Sequence, residues 1–183
     1  MIFNKTFLEG AYTIDVTPFT DERGFFTRFF CEKEFAANQL NTNFVQANHS
    51  GTFTVGSIRG MHMQMAPWGE TKLIKCIKGS IFDVIVDIRE GSPTFLQWFG
   101  AALSAENKRM MYVPKGFAHG FQTLEENTEI TYLVSQFYNK EFEFSLRYND
   151  PRINIEWPLK LADISDKDAN AQLLQSKFKG YIE

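Results

Sequence analysis

The sequence predicts an all-β fold, a sandwich or barrel of short strands with few helices. Aromatic residues make up 15% of the 183-residue chain, and 19 residues are phenylalanine. Aromatic and β-branched side chains favour pleated, half-buried surfaces. Short apolar runs also recur between turn sequences along the second half of the chain, a spacing typical of sandwiches and barrels.

The most regular run is Lys72–Lys78, which alternates imperfectly between apolar and polar residues. Gly79 and Ser80 interrupt the run, and a second one follows over residues 81–88, so this pattern predicts a hairpin. Four further strands are expected, over residues 94–102, 109–113, 120–124 and 129–136. Turn sequences rich in Gly, Pro, Ser and Asn separate these four runs.

Two segments are predicted to be helical and to lie at the periphery. They are residues 32–38 and the tail from Ser165 onward, where Ser165 followed by Asp168 resembles a capping box. The chain shows no internal repeat and no linker. It is therefore expected to form one domain over residues 1–183.

Composition and charge exclude several classes of protein. With 44% hydrophobic and 22% charged residues the chain is not disordered, and a net charge of −3 argues against a nucleic-acid partner. No run of eighteen apolar residues and no apolar signal-peptide core are present, so no membrane association is expected. Two cysteines, Cys31 and Cys76, are too few for a disulfide framework, which favours a reducing compartment, the cytoplasm.

The three histidines are the first candidates for chemistry. His119 ends the segment Pro114-Lys115-Gly116-Phe117-Ala118-His119, which has the spacing of the second cupin motif. His62 lies in Gly60-Met61-His62-Met63-Gln64, at the place of the first cupin motif, but Gln64 stands where a second ligand histidine is usual. A cupin metal site generally needs three histidines and a carboxylate, so no metal is expected.

A longer series of segments carries a family resemblance that extends over nearly the whole chain from about Thr17. In order they are Asp21-Glu22-Arg23-Gly24-Phe25-Phe26, Phe44-Val45-Gln46-Ala47-Asn48-His49-Ser50, Ile58-Arg59-Gly60-Met61-His62-Met63-Gln64, Lys72-Leu73, Gly91-Ser92-Pro93-Thr94, Leu103-Ser104-Ala105-Glu106-Asn107 and Val113-Pro114-Lys115-Gly116-Phe117-Ala118-His119-Gly120-Phe121. Tyr132, Asn149-Asp150-Pro151, Ile155-Glu156-Trp157-Pro158 and Ile164-Ser165-Asp166-Lys167-Asp168 continue it. The chain resembles the dTDP-4-dehydrorhamnose 3,5-epimerase family. The resemblance implies a cupin-type jelly roll, a β-sandwich or barrel with a few short peripheral helices.

The resemblance implies a cofactor-independent epimerase for a nucleotide-linked 4-keto-6-deoxy sugar. In such a reaction a base removes a proton next to the ketone, and an acid returns one to the opposite face. His62 matches the family's general base and Asp168 its carboxylate partner. Tyr132 matches the acid, and Lys72 matches the residue beside the developing enolate.

The resemblance also assigns residues to substrate binding. Arg23, Arg59 and His119 match positions that hold the diphosphate and sugar, while Gln46 and Asn48 match nucleotide contacts. Tyr138 is a candidate for stacking on the base. Phe26, Arg28, Glu143 and Lys167 complete the implied substrate-binding set. In relatives such contacts reach the ligand across a dimer formed by strand exchange, so a homodimer is expected.

Several alternatives stay open at the level of sequence. Asp168 could serve only as part of a helix cap, and Tyr132 could be an ordinary packing residue. Arg28 stands where many family members carry glutamate, which leaves the base of the nucleotide open, and nothing separates inversion at one carbon from inversion at two. Two other functions are considered: a metal-dependent cupin isomerase or oxygenase using His62, Glu70 and His119, and a non-catalytic module that binds sugar nucleotides.

Overall fold

The computed structural model describes residues 1–182, and most of its regular structure is β-strand. The strands are β1 (Ile2–Lys5), β2 (Tyr12–Asp15), β3 (Phe19–Asp21), β4 (Gly24–Phe26), β5 (Gln46–Thr52), β6 (Ser57–Gln64), β7 (Lys72–Lys78), β8 (Ser80–Asp87), β9 (Trp98–Ser104), β10 (Met110–Val113), β11 (Phe117–Thr123), β12 (Thr128–Val134), β13 (Glu143–Ser145) and β14 (Asp163–Ile164). The helices are α1 (Glu32–Ala37), α2 (Asp166–Ala169) and a 3-10 turn at Lys140–Phe142. The all-β prediction is confirmed.

Two large sheets form the sandwich. The first has the order β1-β2-β10-β7-β12-β5, and the second has the order β13-β6-β11-β8-β9, with β14 also pairing with β6. All of these pairs are antiparallel except β14 with β6. Strands β3 and β4 pair only with each other and form a separate hairpin.

The predicted hairpin of β7 and β8 is wrong. Both strands exist, but β7 pairs with β10 and β12 in the first sheet, whereas β8 pairs with β11 and β9 in the second. The chain crosses between the sheets at Gly79, which has φ +72°, and a Cβ there would lie 2.4 Å from the Thr128 hydroxyl. Most residues of both strands are buried. A strand that is buried on both faces shows little alternation of apolar and polar residues, so its sequence does not indicate which strand it pairs with.

The predicted helix at residues 32–38 is confirmed as α1, but the long C-terminal helix is wrong. Helix α2 covers only Asp166–Ala169, and the chain beyond Asn170 has no further helix among the residues described. Instead, Leu174 and Phe178 pack against the outer face of the second sheet, and Tyr181 bridges to Arg89. These contacts outweigh local helix preference, which is a weak determinant by itself. Within residues 1–182, no helix has the length and apolar character needed to cross a bilayer.

Three apolar clusters hold the layers together. The central one lies between the two sheets and includes Ile74 and Met111 of the first sheet and Ile85 and Phe117 of the second. A second cluster covers the outer face of the second sheet with residues of the C-terminal region. The third packs Phe35 of α1 on the outer face of the first sheet. Each sheet is therefore apolar on both faces over part of its area.

The neighbouring strands β6 and β11 approach each other unusually closely beside the polar residues of the interior. A Cβ on Gly60, which has φ +118°, would lie 2.6 Å from the Cα of Gly120. The register between the two strands shifts at this point, between His119 and Phe121. Only glycine tolerates both that backbone conformation and that approach. Arg59 and His62 lie on β6 on either side of this close approach, which therefore helps to fix their positions.

Candidate active site

A cavity of about 410 Å³ opens between the two sheets. Its floor includes Phe121 and Ile130 of the central apolar cluster, so it begins where the core ends. A second cavity of about 270 Å³ adjoins it. The lining of both cavities includes His62, Lys72 and Tyr132. These three predicted catalytic residues therefore lie where the two cavities meet.

His62 lies on β6, in the second sheet, and its ring is paired with Asp168. The Nε2 atom of His62 is 2.6 Å from Oδ1 of Asp168. Because Nε2 is engaged by a carboxylate, it is the nitrogen that carries the proton, which leaves Nδ1 as the acceptor. His62 remains one-third exposed, whereas the Asp168 side chain is almost fully buried.

Asp168 is held in its ionised form by several donors. Burial by itself would raise the pKa of Asp168, but the hydrogen bond from His62, the His62 charge, the Gly60 N–H and the Ser165 interaction together hold that pKa below its ordinary value. The Gly60 N–H lies 3.1 Å from Oδ2. A carboxylate that accepts several hydrogen bonds is stabilised as the anion.

The cap and the His62 contact are compatible, so the capping alternative does not exclude the pair. Ser165 caps α2 by accepting a hydrogen bond from the backbone N–H of Asp168 at 3.2 Å. The Asp168 carboxylate also contacts His62 and the Gly60 N–H. The cap therefore orients the carboxylate that the histidine uses.

Tyr132 and Lys72 stand on the opposite wall, in the first sheet. Tyr132 is on β12, which lies between β7 and the edge strand β5, and it is opposite Asn48 of β5 and Ile74 of β7. Its hydroxyl makes no hydrogen bond within residues 1–182. Burial, and after it the negative charge of Glu70, raises the pKa of Tyr132, while Arg59 opposes this. The phenol is therefore kept protonated.

Lys72 begins β7 and has an almost buried side chain. Its Nζ atom is 3.1 Å from Oε1 of Glu70 and 3.3 Å from the His62 carbonyl oxygen, to which it donates. The ammonium group thus lies between the two walls, beside both His62 and Tyr132 in the cavity lining. A fixed cation at this point is suited to stabilise negative charge.

His119 forms a second histidine–carboxylate pair. It faces His62 across the β6–β11 register, and its Nε2 atom is 2.7 Å from Oδ1 of Asp83. Asp83 is fully buried, and its Oδ2 atom has no hydrogen-bond partner among the described residues. Burial raises the pKa of Asp83, against the opposing effects of His119 and Lys72.

Most of the predicted substrate-binding residues line the two cavities. Arg59, His119 and Lys167 line the larger one. Gln46, Asn48, Tyr138 and Glu143 line the smaller one. Lys167 forms an ion pair with Glu143, which helps to hold the pKa of Glu143 below its ordinary value despite the opposing effect of burial.

Three predicted binding residues lie apart from these cavities in the single chain. Arg23 is at the turn of the β3–β4 hairpin, where it pairs with Asp21 and is largely exposed. Phe26, on β4, is 70% exposed. Arg28 follows the hairpin, and its Nη1 atom is 4.0 Å from Oε1 of Glu34. None of the three is in the lining of either cavity.

Sequence reasoning missed part of the site. Ser50, Thr52, Ser57 and Phe121 line the larger cavity, and Asp83 supports His119. Strand periodicity had the signal for two of them, because residues at every second position from Gln46 and Asn48 share one face of β5. For the buried Asp83, the only signal in the sequence is that a charged residue interrupts an apolar strand.

The described residues give no support to a metal site. Among residues 1–182, no group of three or more His, Cys, Asp or Glu side chains is arranged to hold a metal ion. The histidines of the metal alternative, His62 and His119, each direct Nε2 to a carboxylate instead.

Comparison with known proteins identifies the family of the chain. Residues 5–176 match the family model described as dTDP-4-dehydrorhamnose 3,5-epimerase. The chain belongs to this family. A Shigella flexneri protein named dTDP-4-dehydrorhamnose 3,5-epimerase is 46% identical over 169 residues, which cover 92% of this chain and 93% of that protein.

Solved structures of family members superpose closely on this epimerase-family chain. The Bacillus anthracis dTDP-4-dehydrorhamnose 3,5-epimerase, solved with TDP and PPi bound, is 42% identical with a TM-score of 0.92, covering 94% of this chain and 99% of that one. The Legionella pneumophila dTDP-6-deoxy-D-glucose-3,5-epimerase, solved in complex with dTDP-4-keto-L-rhamnose, is 38% identical with a TM-score of 0.92, covering 100% of this chain and 98% of that one.

Proposed function

We propose that this chain is an isomerase that epimerises a dTDP-linked 4-keto-6-deoxy sugar at a carbon next to the ketone. The observation that carries the proposal is the arrangement of one cavity between two sheets, with the His62–Asp168 pair on one wall and Tyr132 on the other. Family membership supplies the substrate class, since the named relatives are dTDP-sugar epimerases.

The reaction begins with proton removal by His62. Its Nδ1 atom takes the proton from the carbon beside the ketone, and the C–H electron pair moves to the ketone oxygen to give an enolate. Asp168 stabilises the imidazolium that forms, as a carboxylate does for a catalytic histidine. Lys72 stabilises the negative oxygen, an effect typically of about 3 kcal/mol in the transition state.

Inversion follows from the position of Tyr132. A flat enolate held between the sheets presents one face to His62 and the other to the phenol. Tyr132 delivers its proton to that second face, and the pair moves from the enolate back into a new C–H bond. His62 then releases its proton, and the phenolate regains one from solvent, so atoms and charges balance. The proposal leaves open whether one or two carbons are inverted.

Substrate binding is proposed for the residues around these groups. Arg59, His119 and Lys167 are positioned to bind the diphosphate and sugar, a role for which guanidinium and ammonium groups are suited. Gln46, Asn48, Tyr138 and Glu143 bind the nucleotide end in the smaller cavity. No cofactor takes part in the proposed reaction.

We also propose that the enzyme is a homodimer in which each chain contributes the β3–β4 hairpin to its partner. The hairpin pairs with neither sheet, and its Phe19, Phe25 and Phe26 are 68%, 61% and 70% exposed. Strand β5, which carries Gln46 and Asn48, is an edge strand with one side free to pair. Exchange of the hairpin would take Arg23, Phe26 and Arg28 to the partner's nucleotide end.

The dimer is tested by sedimentation. Wild-type protein is expected to sediment at twice 21.1 kDa. The double variant Phe19→Asp and Phe25→Asp is expected to sediment as a monomer, and Leu173→Asp, which charges an exposed apolar residue outside the hairpin, is expected to remain dimeric. A wild-type monomer at micromolar concentration would contradict the proposal.

The cytoplasm is the proposed location. Cys31 and Cys76 are both free, which is usual where thiols are kept reduced.

The activity is tested by NMR with dTDP-4-keto-6-deoxyglucose in D₂O. We expect deuterium to replace hydrogen next to the ketone and the inverted sugar to accumulate. The variant His62→Asn is expected to bind dTDP with unchanged affinity by calorimetry while losing exchange. Binding without exchange in the wild type would favour the non-catalytic module, and exchange that depends on an added metal ion would favour the metal-dependent alternative.

A further inference from the structure

Glu70 is a nearly buried carboxylate beside the proposed reaction centre, and the mechanism above does not use it. It lies two residues before β7, with a side chain only 12% exposed. Its carboxylate faces the smaller cavity together with Lys72 and Tyr132. A buried carboxylate is costly to retain unless it is paired, so its partners indicate what it does.

Both oxygens of Glu70 are engaged. Oε1 forms the 3.1 Å ion pair with Nζ of Lys72, and Oε2 is 3.4 Å from Nε2 of Gln64. Gln64 is itself fixed, since its amide nitrogen lies 3.1 Å from both the Trp68 and the Phe137 carbonyl oxygens and its oxygen accepts from the Asn139 N–H at 2.6 Å. The carboxylate is therefore attached to a rigid part of the second sheet.

This attachment determines where the Lys72 ammonium lies. A lysine has a flexible stem and a compact charge that no single contact orients. In this cavity, Nζ is held from one side by Glu70 and from the other by the His62 carbonyl. These two contacts hold the cation at the junction of the cavities, next to Tyr132.

The charge of Glu70 also acts on Tyr132. After burial, this carboxylate is the next cause that raises the pKa of Tyr132, and Arg59 acts in the opposite direction. The titratable and charged groups that share the two cavities with the phenol are Arg59, His62, Glu70, Lys72, His119, Tyr138, Glu143, Asp163, Lys167 and Asp168. Of these, Glu70 is the carboxylate that raises the pKa of Tyr132.

We infer that Glu70 is a positioning residue for the proposed epimerisation: it holds the Lys72 ammonium group at the enolate oxygen. The inference rests on the proposed function. Glu70 itself does not touch the reacting atoms in this scheme. It acts through the ion pair with Lys72 and through its negative charge. A substitution that removes the charge is therefore expected to differ in effect from one that keeps the charge but shifts its position.

The test compares Glu70→Gln and Glu70→Asp with the wild type, using kcat and KM for the dTDP-4-keto sugar over a range of pH. Glu70→Gln is expected to lower kcat about 10-fold or more through loss of positioning, to leave KM within about 2-fold, and to move the alkaline limb of the pH profile to lower pH. Glu70→Asp keeps the charge but shortens the reach, so kcat falls while the alkaline limb stays in place. Glu126→Gln, at an exposed position outside both cavities, is the matched control.

The outcomes separate this inference from the proposed function. Wild-type exchange in D₂O with an unchanged kcat and alkaline limb in Glu70→Gln overturns the positioning role alone, whereas no wild-type exchange overturns the function. Equal losses in both variants without any movement of the alkaline limb would mean a merely structural role. Should Glu70→Gln fail to fold by circular dichroism, Glu70→Asp decides: a kcat equal to that of the wild type would contradict the inference.

Discussion

The two histidine–carboxylate pairs differ although they contain the same groups and face each other across β6 and β11. His62 and Asp168 are 2.6 Å apart, and His119 and Asp83 are 2.7 Å apart. The pKa of Asp168 is lowered, because the donors from His62 and Gly60 outweigh its burial, whereas burial dominates for Asp83 and raises its pKa. Donors, not distance, decide which carboxylate is held ionised.

The difference extends to access. The His62 side chain is 33% exposed, while that of His119 is 9% exposed. His62 therefore combines an ionised, well-hydrogen-bonded partner with contact to the cavity, as a general base requires. His119 has a buried partner with one orphaned oxygen. This contrast favours proton transfer at the first pair and ligand binding at the second.

The largest expected effect comes from removing each imidazole. His62→Asn is expected to lower kcat about 1000-fold, a loss within the range for general bases. His119→Asn is expected to act mainly on KM, with roughly a 10-fold increase, because it removes an imidazole that is proposed to bind the diphosphate and sugar. Steady-state kinetics on both variants checks this, and equal losses of kcat would remove the distinction between the pairs.

A smaller effect is expected on the pH dependence of the unfolding free energy, with opposite signs for the two carboxylates. The folded pKa of Asp168 is lowered, so its contribution to stability is present above the unfolded value near 4 and is lost as the pH falls through the folded value. The folded pKa of Asp83 is raised, so ionising it costs stability as the pH rises from about 4 through the folded value.

Urea unfolding at pH 3 and pH 7 of Asp168→Asn and Asp83→Asn separates the two contributions. Asp168→Asn should lose more unfolding free energy at pH 7 than at pH 3, because the favourable ionised state of the wild-type carboxylate is fully present only at the higher pH. The unfolding free energy of Asp83→Asn, relative to that of the wild type, should be higher at pH 7 than at pH 3. The same sign in both variants would contradict the assignment of donors and burial.

The smallest effect is expected at the cap that orients Asp168. Ser165→Ala removes the acceptor for the Asp168 N–H and should lower the unfolding free energy by about 1 kcal/mol. Asp168 keeps its contact with Gly60, so kcat should fall only a few-fold. A kcat loss as large as that of His62→Asn would mean that the cap, rather than the Gly60 contact, holds the pair in place.

The sequence predicted those parts of the fold that depend on local pattern. The runs at 109–113 and 129–136 match β10 and β12 closely, because alternation and turn residues are local signals. The pairing of β7 and β8 is not local, since each strand finds its partners in a different sheet. The C-terminal tail was mispredicted because contacts of Leu174 and Phe178 with a distant sheet determine its path.

The site shows the same division. His62 and Asp168 are separated by 106 positions, and no spacing rule joins them, so only the family resemblance paired them. Asp83 was missed because its partner His119 lies on another strand and nothing near Asp83 in sequence indicates a histidine. Strand periodicity from Gln46 and Asn48 would have found Ser50 and Thr52.

The central claim is that the two walls of the cavity carry different steps, with His62 removing the proton and Tyr132 returning it to the other face. The most direct measurement is NMR of the dTDP-4-keto sugar in D₂O with the variant Tyr132→Phe. The account predicts that deuterium still enters next to the ketone, while inversion falls about 100-fold or more relative to the wild type. Inversion at the wild-type rate in this variant would contradict it.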